Sequence, residues 1–149
     1  MTQSEGRAEP TSLGFISSEY STFLDAPIAV EVHSTSEQMA NAITTVVRNA
    51  MDEYQLVGRD VADILHVSPS FVSRLHRCQS SLTPDSDAYE RAVMLVRTID
   101  ALGSMIDHPT QVREFLYGPH ETLGAPPINL MQSLEGLVDV TRYFESRAH

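Results

Sequence analysis

At 149 residues the chain is long enough for one domain, or for two small ones sharing a core, and its 42% hydrophobic content is that of a folded soluble protein. A single cysteine excludes an internal disulfide framework, and no run approaches the roughly 18 apolar residues of a membrane span. A net charge of −10 argues against a general nucleic-acid binder, and the lack of a basic-then-apolar start points to a cytoplasmic protein.

Residues 1–33 read as a mobile or extended arm. The first twenty are polar with no sustained period, and Leu13, Phe15 and Ile16 form a possible docking patch. Ile28 to Val32 (IAVEV) suits one short strand, which would need a partner to be stable. Ser34-Thr35-Ser36-Glu37 has the spacing of a capping box and predicts a helix start. From there Met39, Ile43, Val46, Val47, Ala50, Met51 and Tyr54 keep a helical period to about Gln55, as a core-facing stripe.

The stretch Val57 to Cys78 (VGRDVADILHVSPSFVSRLHRC) is the most informative. Val61, Ile64 and Leu65 give a first helix an apolar edge, Ala62 permits close crossing, and His66-Val67-Ser68 makes a tight turn. Ser68 at the N-cap and Pro69 at the first helical position start a second helix. On that helix Ser70, Ser73, Arg74 and Arg77 share one face with no apolar member. Val72, Leu75 and Cys78 are expected on the opposite face, with Phe71 at the boundary.

This is the spacing of a helix-turn-helix, and a face of hydroxyls and guanidiniums suits phosphates and base edges in a major groove. Arg59, Ser68, Ser70, Ser73, Arg74 and Arg77 are the candidate DNA-binding residues. An amphipathic core helix with a solvated polar face would carry the same pattern. Residues 57–80 hold a net +1 while the rest of the chain holds −11, and all ten basic residues are Arg. So weak a positive face requires a homodimer or larger assembly to bind DNA tightly.

After the loop following Cys78, Thr83-Pro84 with Asp85 and Asp87 suits a helix N-terminus. Ala88, Ala92, Leu95, Ile99, Leu102 and Ile106 then stripe a helix of about 20 residues, broad enough to contact neighbours on two sides. Asp107-His108-Pro109 breaks it. Val112, Phe115 and Leu116 mark a short helix stopped by Gly118-Pro119, Pro127 opens another, and Ser133 to Gly136 makes a joint. Leu137, Val138, Val140 and Phe144 support a final helix to about Ser146.

His66, His76 and Cys78 match no zinc-site spacing, no phosphate loop is present, and no nucleophile motif stands out. The expectation is a protein with no metal, no cofactor and no enzymatic activity.

The segment FLYGPHETLGAPPINLMQSLEGLVDVTRYFE resembles the toxin-binding domain of the Xre/MbcA/ParS antitoxin family. The likeness rests on Phe115-Leu116, Pro119-His120, Leu123-Gly124, Pro127, Leu130-Met131, Gly136 and Val140, in that order, downstream of the helix-turn-helix. It spans roughly residues 38–149, with His120 where the family usually has Asn. The resemblance implies an all-α protein: an Xre-like helix-turn-helix domain over 34–106, then a small helical toxin-binding domain over 107–149.

It implies a type II antitoxin that binds a RES-domain, NAD-degrading toxin, occludes its active site with C-terminal residues and represses its own promoter. A cleft built for the NAD pyrophosphate should be cationic. Glu145 and the carboxylate of His149 would then enter it, with Tyr143 and Phe144 filling apolar space beside them; the competing reading is that Phe144 is core and the last residues fray. Arg142 and Arg147 would pair with toxin carboxylates. The partners expected are a RES-domain toxin, operator DNA and a second copy of the chain, with no membrane. A helix-turn-helix regulator without a toxin, or an adaptor that has lost DNA binding, are the competing readings.

Overall fold

The computed structural model describes the backbone of residues 28–148, and side chains from residue 35 onwards. The expected N-terminal arm with Leu13, Phe15 and Ile16, and His149 at the other end, lie outside the described residues. Seven helices follow in order: α1 (Ile28–Glu53), α2 (Gly58–Leu65), α3 (Pro69–His76), α4 (Asp87–Met105), α5 (Pro109–Tyr117), α6 (Pro127–Leu130) and α7 (Leu134–Ala148). Among the described residues there is no strand, so the protein is all-α there. The chain groups into two units, Met1–Ser36 and Glu37–His149. The expected boundary at residue 106 falls inside the second unit, which is described below.

Two expectations for α1 fail. Residues 28–32 are helical, not a strand, and the Ser34–Glu37 box lies inside the helix instead of at its start. No Gly or Pro interrupts residues 28–53, and a helix satisfies its own backbone groups where a lone strand cannot. The core-facing stripe of α1 is borne out at Val47, Ala50 and Met51, which are buried, and at Ile43 and Tyr54, which are partly buried against the core, but not at Met39 and Val46. Ala40, Thr44, Val47 and Met51 are buried, at i, i+4, i+7 and i+11, whereas Met39 and Val46 are 51% and 40% exposed. Thr44 is tolerated inside because its Oγ1 donates to Ala40 O (2.7 Å) and accepts from Leu82 N (3.0 Å).

The turn between α2 and α3 follows the sequence closely. His66 takes the left-handed conformation that ends α2, with φ 63°. Ser68 caps α3, its Oγ accepting from Phe71 N at 3.0 Å, and Pro69 is the first helical residue. Val61, Ala62, Ile64, Leu65, Val72 and Leu75 are all buried. Cys78 is not. It is exposed at φ 64°, because α3 ends at His76 and the helical period no longer applies to it.

Helix α4 is capped by Ser86, three residues later than Thr83. The Ser86 Oγ accepts from Tyr89 N (3.1 Å) and donates to Thr83 O (2.7 Å). It packs on α2 on one side and most extensively on α7 on another. Between α4 and α7 the buried hydroxyls of Thr98 and Thr141 meet at 2.9 Å. At the rim of that seam, Arg97 grips Glu145 with two bonds, of 2.8 and 2.6 Å.

Helix α7 begins at Leu134, earlier than expected, with the Ser133 Oγ accepting from Gly136 N at 3.1 Å. Glycine is required at 136 because α7 starts hard against the end of α6. A Cβ there would sit 1.9 Å from Leu130 O. Helix α5 is tied to the joint between α1 and α2: Arg113 donates to Gln55 O (3.1 Å) and Tyr117 Oη accepts from Val57 N (3.0 Å).

Candidate functional site

The six residues expected to meet DNA are all exposed. Ser70, Ser73, Arg74 and Arg77 lie along the outer side of α3, whose inner side is held by buried Val72 and Leu75. A short helix fixed at its N-terminus by a cap and from behind by two core residues presents these groups on a rigid element. Arg74 lies over the Phe71 ring at 5.9 Å, and Arg77 donates to Ser73 Oγ (3.1 Å) and Gln79 Oε1 (3.3 Å). Ser68 is committed to the cap through its acceptor lone pair. Arg59, at the start of α2, joins Ser73 and His76 around a cleft of about 520 Å³ between α2 and α3, closed behind by Met51 and Val72.

Two residues at this face give no signal in the sequence. His76 Nε2 meets Asp52 Oδ1 at 2.6 Å, bridging α3 to α1. Arg48 donates from Nε to Leu75 O (3.0 Å), a carbonyl near the end of α3 that also accepts from Cys78 N (3.1 Å). Both side-chain contacts join residues at least 24 positions apart, beyond the reach of any local spacing.

The candidate toxin-binding residues separate into two groups. Phe144 does not face outward: it is 1% exposed, because it lies on the side of α7 that packs on the core. Glu145 is half-buried and its two oxygens are engaged by Arg97. Arg142 and Arg147 are exposed, and Arg147 stacks on the Tyr143 ring at 3.9 Å.

Tyr143 belongs to an aromatic cluster in which Phe115, His120, Tyr143 and Phe144 meet edge to face, with ring centroids 5.3 to 6.1 Å apart. His120 Nδ1 accepts from Leu123 N at 3.3 Å, which directs that ring. Phe115 remains 40% exposed beside a recess of about 510 Å³ that runs to Ile106 and Glu114. The sequence shows these aromatics only as separate residues on either side of Gly118-Pro119.

Among the described residues, no group of three His, Cys, Asp or Glu side chains could hold a metal ion, and no helix is long and apolar enough to cross a membrane. No family model matches the chain, and no curated protein matches it.

Proposed function

We propose that the chain is an antitoxin that represses its own operon through α3 and neutralises a RES-domain toxin through the outer end of α7. The observation that carries the DNA half is the open face of α3. Ser70, Ser73, Arg74 and Arg77 point away from the core on a helix anchored by Ser68, Val72 and Leu75. In this reading α2 and α3 form a helix-turn-helix, α3 enters the major groove, Arg74 and Arg77 bond base edges or phosphates, and Arg59 with Ser73 meets the backbone beside it. The protein is then a homodimer on a two-fold operator, in the cytoplasm, with no catalytic activity of its own.

The toxin half rests on the resemblance of residues 115–140 to the antitoxin family. The groups available for it are Arg142, Tyr143 and Arg147, together with exposed Phe115. Glu145 and Phe144 serve instead to hold α7 against α4 and the core. That commitment favours a second reading, a helix-turn-helix regulator without a toxin, since two residues expected to enter a foreign cleft are used internally.

Two measurements separate these readings. Arg74→Ala with Arg77→Ala should weaken binding to the promoter of its own gene in a gel-shift titration, by about 1–3 kcal/mol for each Arg that bonds a base edge. Toxin binding should stay intact. Unchanged DNA affinity removes α3 as the reading element. Co-expression with the neighbouring gene's product should yield a complex of defined mass that Arg142→Glu with Arg147→Glu disrupts. Absence of any complex with the wild-type chain leaves the regulator reading.

A further inference from the structure

Met39, Ala42, Val46, Asn49 and Glu53 succeed one another at alternating three- and four-residue steps along the outer side of α1, all of them exposed. This side lies opposite Ala40, Thr44, Val47 and Met51, which α1 buries in its own unit. Beside it a groove of about 450 Å³ runs between α1 and α4, with Ala50, Val96 and Ile99 below Val46 and the carboxylates of Glu53 and Asp100 at one end. In a chain with 20 acidic residues, the stretch Gln38 to Met51 holds no acid. Its one charge, Arg48, is turned inward to Leu75 O.

We infer that this face is the contact between two copies of the chain, the two α1 helices crossing antiparallel at Val46. This deepens the DNA-binding reading, which needs a dimer, but its geometry stands on α1 and α4 alone. A second copy is the occupant because the stripe carries no acid from Met39 to Asn49 in an otherwise acidic molecule, its one carboxylate, Glu53, standing at the far end, so two such faces approach without the like-charge repulsion that other surfaces would meet. Charge also decides the direction. A parallel pairing would bring Glu53 and Asp100 of both copies together. An antiparallel one sends them to opposite ends, about 20 Å apart for the fourteen helical steps from Met39 to Glu53. Val46 lies midway between Met39 and Glu53, so the two-fold axis passes at Val46 and each Val46 meets its counterpart above the groove.

Size-exclusion chromatography with light scattering on the full chain, without DNA, should give twice the 16.5 kDa chain mass. Val46→Arg should raise the dimer dissociation constant by about a hundredfold or more, with an unchanged circular dichroism spectrum, because it buries two like charges on the axis. In a Cys78→Ser background, Val46→Cys should cross-link to itself on oxidation and Met39→Cys should not. A monomeric wild-type chain, or a Val46→Arg dimer as tight as wild type, overturns the interface. Self-cross-linking of Met39→Cys overturns the antiparallel arrangement. The DNA reading fails separately: a dimer that cross-links through Val46→Cys and does not shift promoter DNA refutes α3 alone.

Discussion

Tyr117 shows how one side chain ties α5 to the entry of α2. Its hydroxyl accepts from Val57 N at the entry to α2 and hydrogen-bonds Asp60, while Arg113 stacks on its ring at 4.4 Å. Burial, with Asp60 adding to it, pushes its pKa up to about 12 from the ordinary 10.0. A raised folded-state pKa favours the protonated form, so the contribution is complete below about pH 10 and is lost as pH rises toward 12. Urea unfolding as a function of pH should therefore show stability falling across that window. Tyr117→Phe should lower stability by about 1 kcal/mol at neutral pH and flatten the alkaline fall. An equally steep fall in the variant would assign it to other groups. Tyr54 shifts in the same direction, first through burial and then through Glu53 and Asp100, and will contribute to whatever slope is left.

At the scale of elements, the seam between α4 and α7 decides what the C-terminal helix can do. Thr98 and Thr141 hydrogen-bond inside it, and the Arg97–Glu145 fork closes it at the rim. Arg97 is correspondingly held above its ordinary pKa, chiefly by the hydrogen bond it donates to Glu145. Glu145→Ala should cost about 1 kcal/mol, the upper end for a partly exposed pair, because the geometry is bidentate. Hydrogen exchange should quicken at residues 142–148 and stay unchanged in α2 and α3. If toxin binding falls in this variant while Arg142 and Arg147 are intact, Glu145 acts by holding α7 in place. If the variant exchanges like the wild type, the fork contributes nothing to the order of α7.

At the scale of the molecule, charge is distributed by surface. The α3 face carries Ser70, Ser73, Arg74 and Arg77 without an acid among them, and the outer side of α1 is acid-free from Gln38 to Met51. By sequence, the residues outside 57–80 carry a net charge of −11, the total of −10 less the +1 of that segment. A net charge of −10 is thus compatible with DNA binding only if the favourable groups are confined to one face and doubled by symmetry, so the two proposals depend on each other for affinity though not for geometry.

What the sequence determined by itself is the set of features governed within one turn of chain. The Ser68-Pro69 start of α3, the break at His108-Pro109, the opening of α6 at Pro127 and the outward face of α3 all follow from caps, proline and helical period. Only the tertiary structure decided that Met39 and Val46 of the α1 stripe stay exposed, that residues 28–32 are helical, and that Glu145 closes on Arg97, 48 residues away. The reason is physical. An apolar stripe states that a face can be buried without stating what covers it, and a carboxylate is free or paired according to a residue that local spacing never brings near it.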